Sequence, residues 1–244
     1  MLAQEVVAEY PGRVNFVSEN FGASKLAERF GVTRYPAVFV NDVLVARPRD
    51  FGFYGKGESA GRYTPFRNAA NQQRFKTDLK RMVDLVLEGK QDQVARERGG
   101  TEETDQIASM PEFELKDLSG SPLDSKTARG HVVVVEFWAT WCPPCRSTLQ
   151  WLGEIKRKYG NDVEVLALAV ESPEDKVRTM IGPLNPDIRW AMSEPSVALS
   201  FGDITAVPTM LIFDKGGATK RVIYGAPPDL HEQAEKTLTQ LLAR

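Results

Sequence analysis

One segment, residues 131–146, constrains what this chain can fold into more than any other. Four consecutive valines, 132–135, form a β-branched run typical of a strand buried on both faces of an α/β sheet. After a short turn the run reaches Cys142 and Cys145. The residues beyond them predict a helix ending near Gly160, because apolar side chains recur at helical spacing: Leu149, Leu152, Ile155 and Tyr159. The cysteine pair is therefore predicted where a buried strand meets the N-terminus of a helix.

This position favours thiol chemistry. Side chains three residues apart are neighbours on a helix, so Cys142 and Cys145 can come within disulfide distance. Unpaired N–H groups and the positive end of the helix dipole stabilise a thiolate, which is the form that attacks a disulfide. Pro143 and Pro144 suit the first helical turn, where a missing N–H costs nothing. Cys142, next to the turn, is interpreted as the attacking nucleophile, and Cys145 as the thiol that resolves the mixed disulfide.

The cysteine pair has two structural interpretations, an inert bridge and half of a zinc site. A closed zinc site needs four ligands, but the chain has two cysteines and two widely separated histidines, His131 and His231. Arg146 after Cys145 excludes haem attachment through a C-x-x-C-H motif. A bridge across two residues would constrain little unfolded chain and stabilise the fold weakly. Redox chemistry is the favoured interpretation.

Composition leaves the compartment open. A net charge of −2, with 42% hydrophobic and 26% charged residues, gives no sign of a nucleic-acid or anionic-membrane partner. No apolar run is long enough to span a bilayer, and residues 1–20 contain no apolar signal core. Both cysteines lie in the motif, which suits an oxidising compartment where spare thiols would mispair. We expect an extracytoplasmic, periplasmic protein whose signal or anchor is absent from this chain, with a cytoplasmic location as the alternative.

The first predicted domain covers residues 1–90. Helix patterns, a short strand over residues 14–18 and a hairpin over residues 37–46 indicate a small α/β unit. Residues 47–66 show no clear period, and an apolar stripe after them predicts a long helix. Residues 91–109 are charged and lack periodicity, so we interpret them as a linker.

The second predicted domain covers residues 110–244. Its patterns follow in the order β-hairpin, β, α, β, α, β, β, α, which predicts an α/β sandwich. One helix is predicted to have Ser172 as its N-cap and Pro173 at its first position. Glu136 lies inside the buried run, between neighbours that are too apolar for an ordinary surface position.

The second domain resembles a known superfamily. The run EFWATWCPPC is similar to the active-site segment of thioredoxins, and WATWCPPCR after PEFELKDLSGSPL resembles the TlpA/ResA-like branch of thiol–disulfide oxidoreductases. The resemblance implies a thioredoxin-like α/β sandwich whose CPPC dithiol or disulfide exchanges electrons with thiols or disulfides of partner proteins. It implies an upstream protein that donates or accepts electrons, and neither a cofactor nor a metal. The direction of electron flow stays open.

The same resemblance implies roles for other residues. Most prolines at the start of a strand follow a trans bond, but Pro208 matches the cis-proline of thioredoxins, where the backbone of Val207 would pair with an extended substrate. Glu136 matches a buried acid that takes the proton of the inner thiol, and burial is expected to raise its pKa. The substrate-binding surface is expected to include three further residues: Trp141, Pro143 and Pro144. Trp141 is interpreted first as a core-packing residue and in addition as part of this surface.

Two threonines depart from the branch pattern. Thr148 stands where the ResA-like branch often has a glutamate, and Thr209 where cytochrome c maturation members have an acid. The sequence therefore predicts neither that branch-specific acid nor a cytochrome c substrate.

An internal echo suggests what the first domain is. Around Pro36 and again around Pro208, the end of a predicted helix is followed by a proline, then by an apolar strand and then by an acidic residue in a turn. We interpret residues 1–90 as a degenerate or truncated thioredoxin-like domain without cysteines. The alternative is an unrelated α/β packing with a chance match.

Other functional classes fit the motifs less well. A peroxidase would have a proline where Phe137 stands, and a copper chaperone would have a histidine near Pro208. The main alternative to an enzyme is a non-catalytic adaptor or binding module, in which the dithiol only switches an interaction.

Overall fold

A computed structural model describes residues 2–19, 25–32, 37–46, 69–98, 107–184, 186–202, 204 and 207–243 of the chain. Backbone contacts divide the protein into two compact units, Met1–Thr104 and Asp105–Arg244. The irregular stretch predicted over residues 47–66 lies outside the described residues. The interpretation of residues 1–90 as a degenerate thioredoxin-like domain stays a prediction.

The first unit is a small α/β assembly. Its elements are α1 (Leu2–Val7), α2 (Lys25–Arg29), β1 (Val38–Val40), β2 (Val43–Ala46), α3 (Ala69–Leu87) and α4 (Gln91–Arg98). The predicted hairpin is confirmed, because β1 and β2 pair antiparallel around Asn41, whose φ is 55°. Buried side chains from α1, the turn after it, β2, α3 and α4 form one hydrophobic core: Val6, Tyr10, Val45, Leu79, Met82, Val83, Val86 and Val94.

Two predictions for this part of the chain are wrong. Residues 14–18 form no strand: the N–H of Val14 bonds to the carbonyl of Tyr10 in a turn, whereas a strand needs a ladder with a neighbour. The segment interpreted as a linker contains α4. One fully buried residue, Val94, and the 2.7 Å ion pair between Arg81 and Glu97 hold this helix in place. Tertiary packing therefore stabilises a helix that has no apolar period in its sequence.

The second unit contains the cysteine pair. Its first half comprises β3 (Glu114–Lys116), β4 (Pro122–Asp124), α5 (Ser125–Ala128), β5 (Val132–Trp138), α6 (Pro143–Tyr159) and β6 (Val163–Ala169). Its second half comprises α7 (Glu174–Ile181), β7 (Arg189–Met192), α8 (Pro195–Ser200), β8 (Thr209–Phe213), β9 (Thr219–Tyr224) and α9 (Leu230–Leu242). The five-stranded sheet has the order β7-β6-β5-β8-β9. β5 pairs in parallel with β6 and antiparallel with β8, which makes it the central strand.

The core of this unit lies on both faces of β5. All seven residues of this strand are buried, as the valine run predicts. Phe201, which is 2% exposed, packs its ring 5.3 Å from that of Phe137 and 5.5 Å from that of Phe113. The predicted thioredoxin-like α/β sandwich is confirmed, and so is the helix end at Gly160, which caps α6 with a φ of 55°.

The predicted N-cap of α7 is wrong. The helix begins at Glu174, its N-cap is Pro173, and no side chain caps it. The hydroxyl of Ser172 donates instead to the carbonyl of Val170 and accepts from the N–H of Thr140. Ser172 therefore holds the loop before the cysteines and does not cap the helix. A hydroxyl near a helix end can bond to other backbone groups that the fold brings within reach.

Candidate active site

The two cysteines lie at the mouth of α6. β5 ends at Trp138, a three-residue turn follows, and Cys142 is the N-cap of a 17-residue helix with Pro143 and Pro144 in its first turn. The Cα atoms of Cys142 and Cys145 are 5.4 Å apart, and the two residues form a disulfide. Cys142 is 5% exposed, whereas Cys145 is completely buried. The structure therefore brings the predicted pair together at the predicted junction and makes Cys142 the outer member.

A backbone N–H at the N-terminus of α6 points at the sulfur of Cys142. The N–H of Cys145 lies 3.3 Å from Sγ of Cys142 and donates to it. The positive end of the α6 dipole lies at the same place. Both interactions favour negative charge on Cys142 when the disulfide is reduced, so they favour a thiolate there.

The turn that carries Cys142 is held by the loop after β6. The N–H of Thr140 donates to Oγ of Ser172 over 2.9 Å. The indole Nε1–H of Trp141 donates to the carbonyl of Glu171 over 3.0 Å, while 48% of Trp141 remains exposed. Trp141 thus has a fixed orientation and an exposed face beside the outer cysteine, as expected of a residue on a binding surface.

Glu136 is a buried acid in the central strand. It has no exposed surface, and Oε2 has no hydrogen-bond partner among the described residues. Its other oxygen, Oε1, accepts a hydrogen bond from Oγ1 of Thr148 over 2.5 Å. Burial raises the pKa of Glu136 to about 8, although the Thr148 hydroxyl opposes that rise. The predicted burial and the predicted direction of the pKa shift are both found.

Thr148 connects this acid to the inner cysteine. Its hydroxyl lies within hydrogen-bond distance of Glu136 Oε1 and, at 2.9 Å, of the carbonyl oxygen of Cys145. A hydroxyl has one proton, so it can donate to only one of these oxygens at a time. The other bond is completed only when Glu136 is protonated and donates to Thr148. Sequence reasoning noted Thr148 as a departure from a family pattern but missed this contact, although its place one turn after Cys145 is visible in the sequence.

Pro208 directly precedes β8, at the end of the sheet where β5 runs into the turn that carries Cys142. The Val207–Pro208 peptide bond is cis, as predicted. Thr209, the next residue, pairs with Phe137 near the end of β5, and the carbonyl of Pro208 accepts a 2.7 Å hydrogen bond from the N–H of Gly225. The strand register therefore places this loop beside the end of the strand that leads to Cys142. Substrate pairing by Val207 stays a prediction.

Among the residues that the structure describes, no group of three or more His, Cys, Asp or Glu side chains is arranged to hold a metal ion. None of the described helices combines the length and the apolar character needed to cross a bilayer.

Comparisons with known proteins agree with this geometry. A family model described as Redoxin matches residues 106–242. A thiol-disulfide oxidoreductase ResA of Bacillus cereus is 28% identical over 116 residues, which are 47% of this chain and 67% of that protein. The thioredoxin-like protein YneN of Bacillus subtilis (strain 168) is 27% identical over 118 residues, 47% of this chain and 69% of the relative.

A solved structure shows the same fold. It is that of a thiol:disulfide interchange protein of the thioredoxin family from Chlorobium tepidum TLS, with a TM-score of 0.50 and 23% identity. The likeness covers 55% of this chain and 96% of that one. Because the Redoxin match covers more than half of the chain, the chain belongs to the Redoxin family, and its second unit has a thioredoxin-like fold.

Proposed function

We propose that Cys142 and Cys145 exchange two electrons with a disulfide or dithiol of a partner protein through a mixed disulfide. In the reducing direction, the Cys142 thiolate attacks one sulfur of the partner disulfide, and the other partner sulfur leaves as a thiolate that takes a proton from water. The Cys145 thiolate then attacks Sγ of Cys142, which forms the Cys142–Cys145 disulfide and releases the second partner thiol. The partner is reduced by two electrons and the cysteine pair is oxidised by two. The reverse sequence oxidises a partner dithiol.

The observation that carries this proposal is the geometry at the mouth of α6. The cysteines are close enough to form a disulfide, Cys142 is the outer one, and the N–H of Cys145 donates to its sulfur. An outer, stabilised thiolate suits the first attack, and a buried partner suits the second.

Glu136 is proposed to take the proton of the Cys145 thiol during the second attack. A group is most effective as a base when its pKa lies near the working pH, and burial brings the pKa of Glu136 to about 8. Thr148 is a positioning residue in this step, because its hydroxyl orients Oε1 of Glu136 and contacts the carbonyl of Cys145.

The surface around Cys142 is proposed to bind an extended segment of the partner. Trp141, Pro143 and Pro144 are exposed around the outer sulfur, which lets them contact that segment. The backbone of Val207, which precedes the cis-proline Pro208 in the loop before β8, would pair with that segment as in strand addition.

Insulin reduction with dithiothreitol as the electron source tests the proposal. We expect turnover by the wild type and none by Cys142→Ser, whereas Cys145→Ser should accumulate a mixed disulfide that mass spectrometry detects. Mixed disulfides formed by Cys142→Ser but not by Cys145→Ser would reverse the assignment of the two thiols. An inactive wild type would instead support the adaptor.

We also propose an extracytoplasmic location and a protein that supplies or removes the electrons. An extracytoplasmic location is supported by the chain's having only two cysteines, both in the reactive pair, since spare thiols mispair in oxidising compartments. A second redox protein would then restore the working state of the pair after each turnover. Cell fractionation followed by alkylation of free thiols tests both points, because it reports where the protein resides and which redox state it holds.

A further inference from the structure

A groove of about 720 Å³ opens beside the cysteine pair, between α6 and α7. Its volume falls within the range of about 300–1,000 Å³ that is usual for binding sites. The apolar part of its lining includes Trp141, Leu149, Met180 and Leu184. Leu149 is buried and Trp141 is held by its bond to the carbonyl of Glu171, so part of this wall is rigid.

Two cations add charge to this apolar wall. Arg146, on the first turns of α6, and Lys176, on α7, both line the groove and are both exposed. Neither has a carboxylate partner among the described residues, and the described lining contains no acidic side chain. On α7, Glu174 forms a 2.7 Å ion pair with Arg178, which is not among the lining residues. The groove therefore combines apolar surface with uncompensated positive charge.

The groove begins where a captured partner must lie. Thr140 and Trp141, which line it, directly precede Cys142, and Arg146 directly follows Cys145. A partner chain joined to Cys142 through its own cysteine is therefore attached at the residue that follows Trp141, a lining residue of the groove. Pro208 does not line it. The groove is thus a second surface, separate from the predicted strand-pairing loop.

We propose that this groove binds the segment of the partner protein that flanks its reactive cysteine, and that this segment carries an apolar side chain and a carboxylate. The inference rests on the proposed function and adds the class of substrate to it. The apolar side chain would pack on Trp141 and Met180, and the carboxylate would pair with Arg146 and Lys176. Such pairing would raise the rate of the first attack and select acidic partners.

Two matched peptides test the proposal. Each contains one cysteine flanked by a leucine and either a glutamate or a lysine, and each is activated as a mixed disulfide with 2-nitro-5-thiobenzoate. Attack by reduced Cys142 releases the coloured thiolate, which stopped-flow absorbance follows. We expect the acidic peptide to react at least about threefold faster than the basic one, as befits exposed charge pairs, and the ratio to fall toward one at high salt.

The matched variants are charge reversals of exposed cations. Arg146→Glu and Lys176→Glu together should invert the ratio between the acidic and basic peptides. Arg157→Glu is the control for the single variant Arg146→Glu, which by itself should lower the ratio: it makes the same charge change on an exposed residue of α6 that is outside the groove, eleven residues or about 16 Å further along the helix. It should leave the ratio unchanged.

The outcomes separate this inference from the proposed function. Reaction with the neutral reagent dipyridyl disulfide tests the thiols alone, so normal reaction there with equal rates for the two peptides would overturn the groove and leave the oxidoreductase standing. Equal effects of Arg157→Glu and of the groove variants would also overturn it, because the preference would then come from net charge. A dimer that Arg146→Glu dissociates would show that a second copy of this chain covers the groove, and the proposal would be wrong.

Discussion

Glu136 should make the stability of the second unit fall as the pH rises. Its carboxyl is completely buried and has a pKa of about 8, compared with 4.5 for an exposed glutamate. Since the folded state binds this proton more tightly than the unfolded state, the stabilisation is fully present below about pH 4.5. It is lost as the pH rises through about 8, and it changes no further above that value.

The size of the effect follows from the two pKa values. Each pH unit between 4.5 and about 8 removes about 1.4 kcal/mol, so the whole interval removes about 5 kcal/mol from the free energy of unfolding. Between pH 5 and pH 9 the loss is about 4 kcal/mol. A protein with a typical stability of about 5–15 kcal/mol would lose a large share of it.

The assay compares the wild type with Glu136→Gln in denaturant titrations at several pH values, without reductant so that the disulfide stays intact. All four tryptophans lie in the second unit, at positions 138, 141, 151 and 190, so their fluorescence reports on that unit alone. Every other titrating group is common to both proteins and cancels in the difference. The wild type should lose about 4 kcal/mol relative to the variant between pH 5 and pH 9.

Parallel pH profiles for the two proteins would refute this reasoning, because they would mean that Glu136 has the same pKa in the folded and unfolded states. A relative gain of wild-type stability with pH would refute it more strongly. In that case the carboxylate would be stabilised, not disfavoured, by its surroundings.

Three further predictions concern the same unit. Glu136→Gln should slow the second attack, by Cys145, while sparing the first; equal slowing of both steps in rapid-quench experiments would count against a role as base. Thr148→Val should raise the pKa of Glu136 above its wild-type value because a hydrogen bond that lowers it is lost, and Thr148→Ser should restore it, as followed by the carboxyl band in infrared spectra. Phe201→Ala should lower the free energy of unfolding by about 3–5 kcal/mol in denaturant titrations, because the ring is buried among other phenylalanines; a loss below about 1 kcal/mol would show that the core repacks.

Local patterns predicted much of the second unit correctly. The valine run became the central strand, the apolar stripe after the cysteines became α6, and Gly160 ends that helix. These predictions succeed because strand burial, helical spacing and a glycine cap depend on residues that are neighbours in sequence. The helix α4 was missed because it depends on contacts with residues that are distant in sequence. It is held by the burial of Val94 and by the ion pair between Glu97 and Arg81 of α3.

The candidate site divides in the same way. Cys142, Cys145 and Pro208 were recognised from a contiguous motif and a family resemblance, and the disulfide and the cis bond agree with both. The contact of Thr148 was missed and the role of Ser172 was predicted wrongly, because their partners lie 12 and 32 residues away in sequence. No sequence pattern predicts which distant group a hydroxyl will contact.

The sequence by itself determined that a cysteine pair lies between a buried strand and a helix, because that arrangement depends only on the order of apolar, cysteine and proline residues. Only the tertiary structure decided that Oε2 of Glu136 has no hydrogen-bond partner among the described residues, that one threonine links this acid to the inner cysteine, and that Arg146 and Lys176 line one groove. The physical reason is that desolvation and electrostatic fields depend on which groups surround an atom in space. Those groups include residues that are distant in the chain.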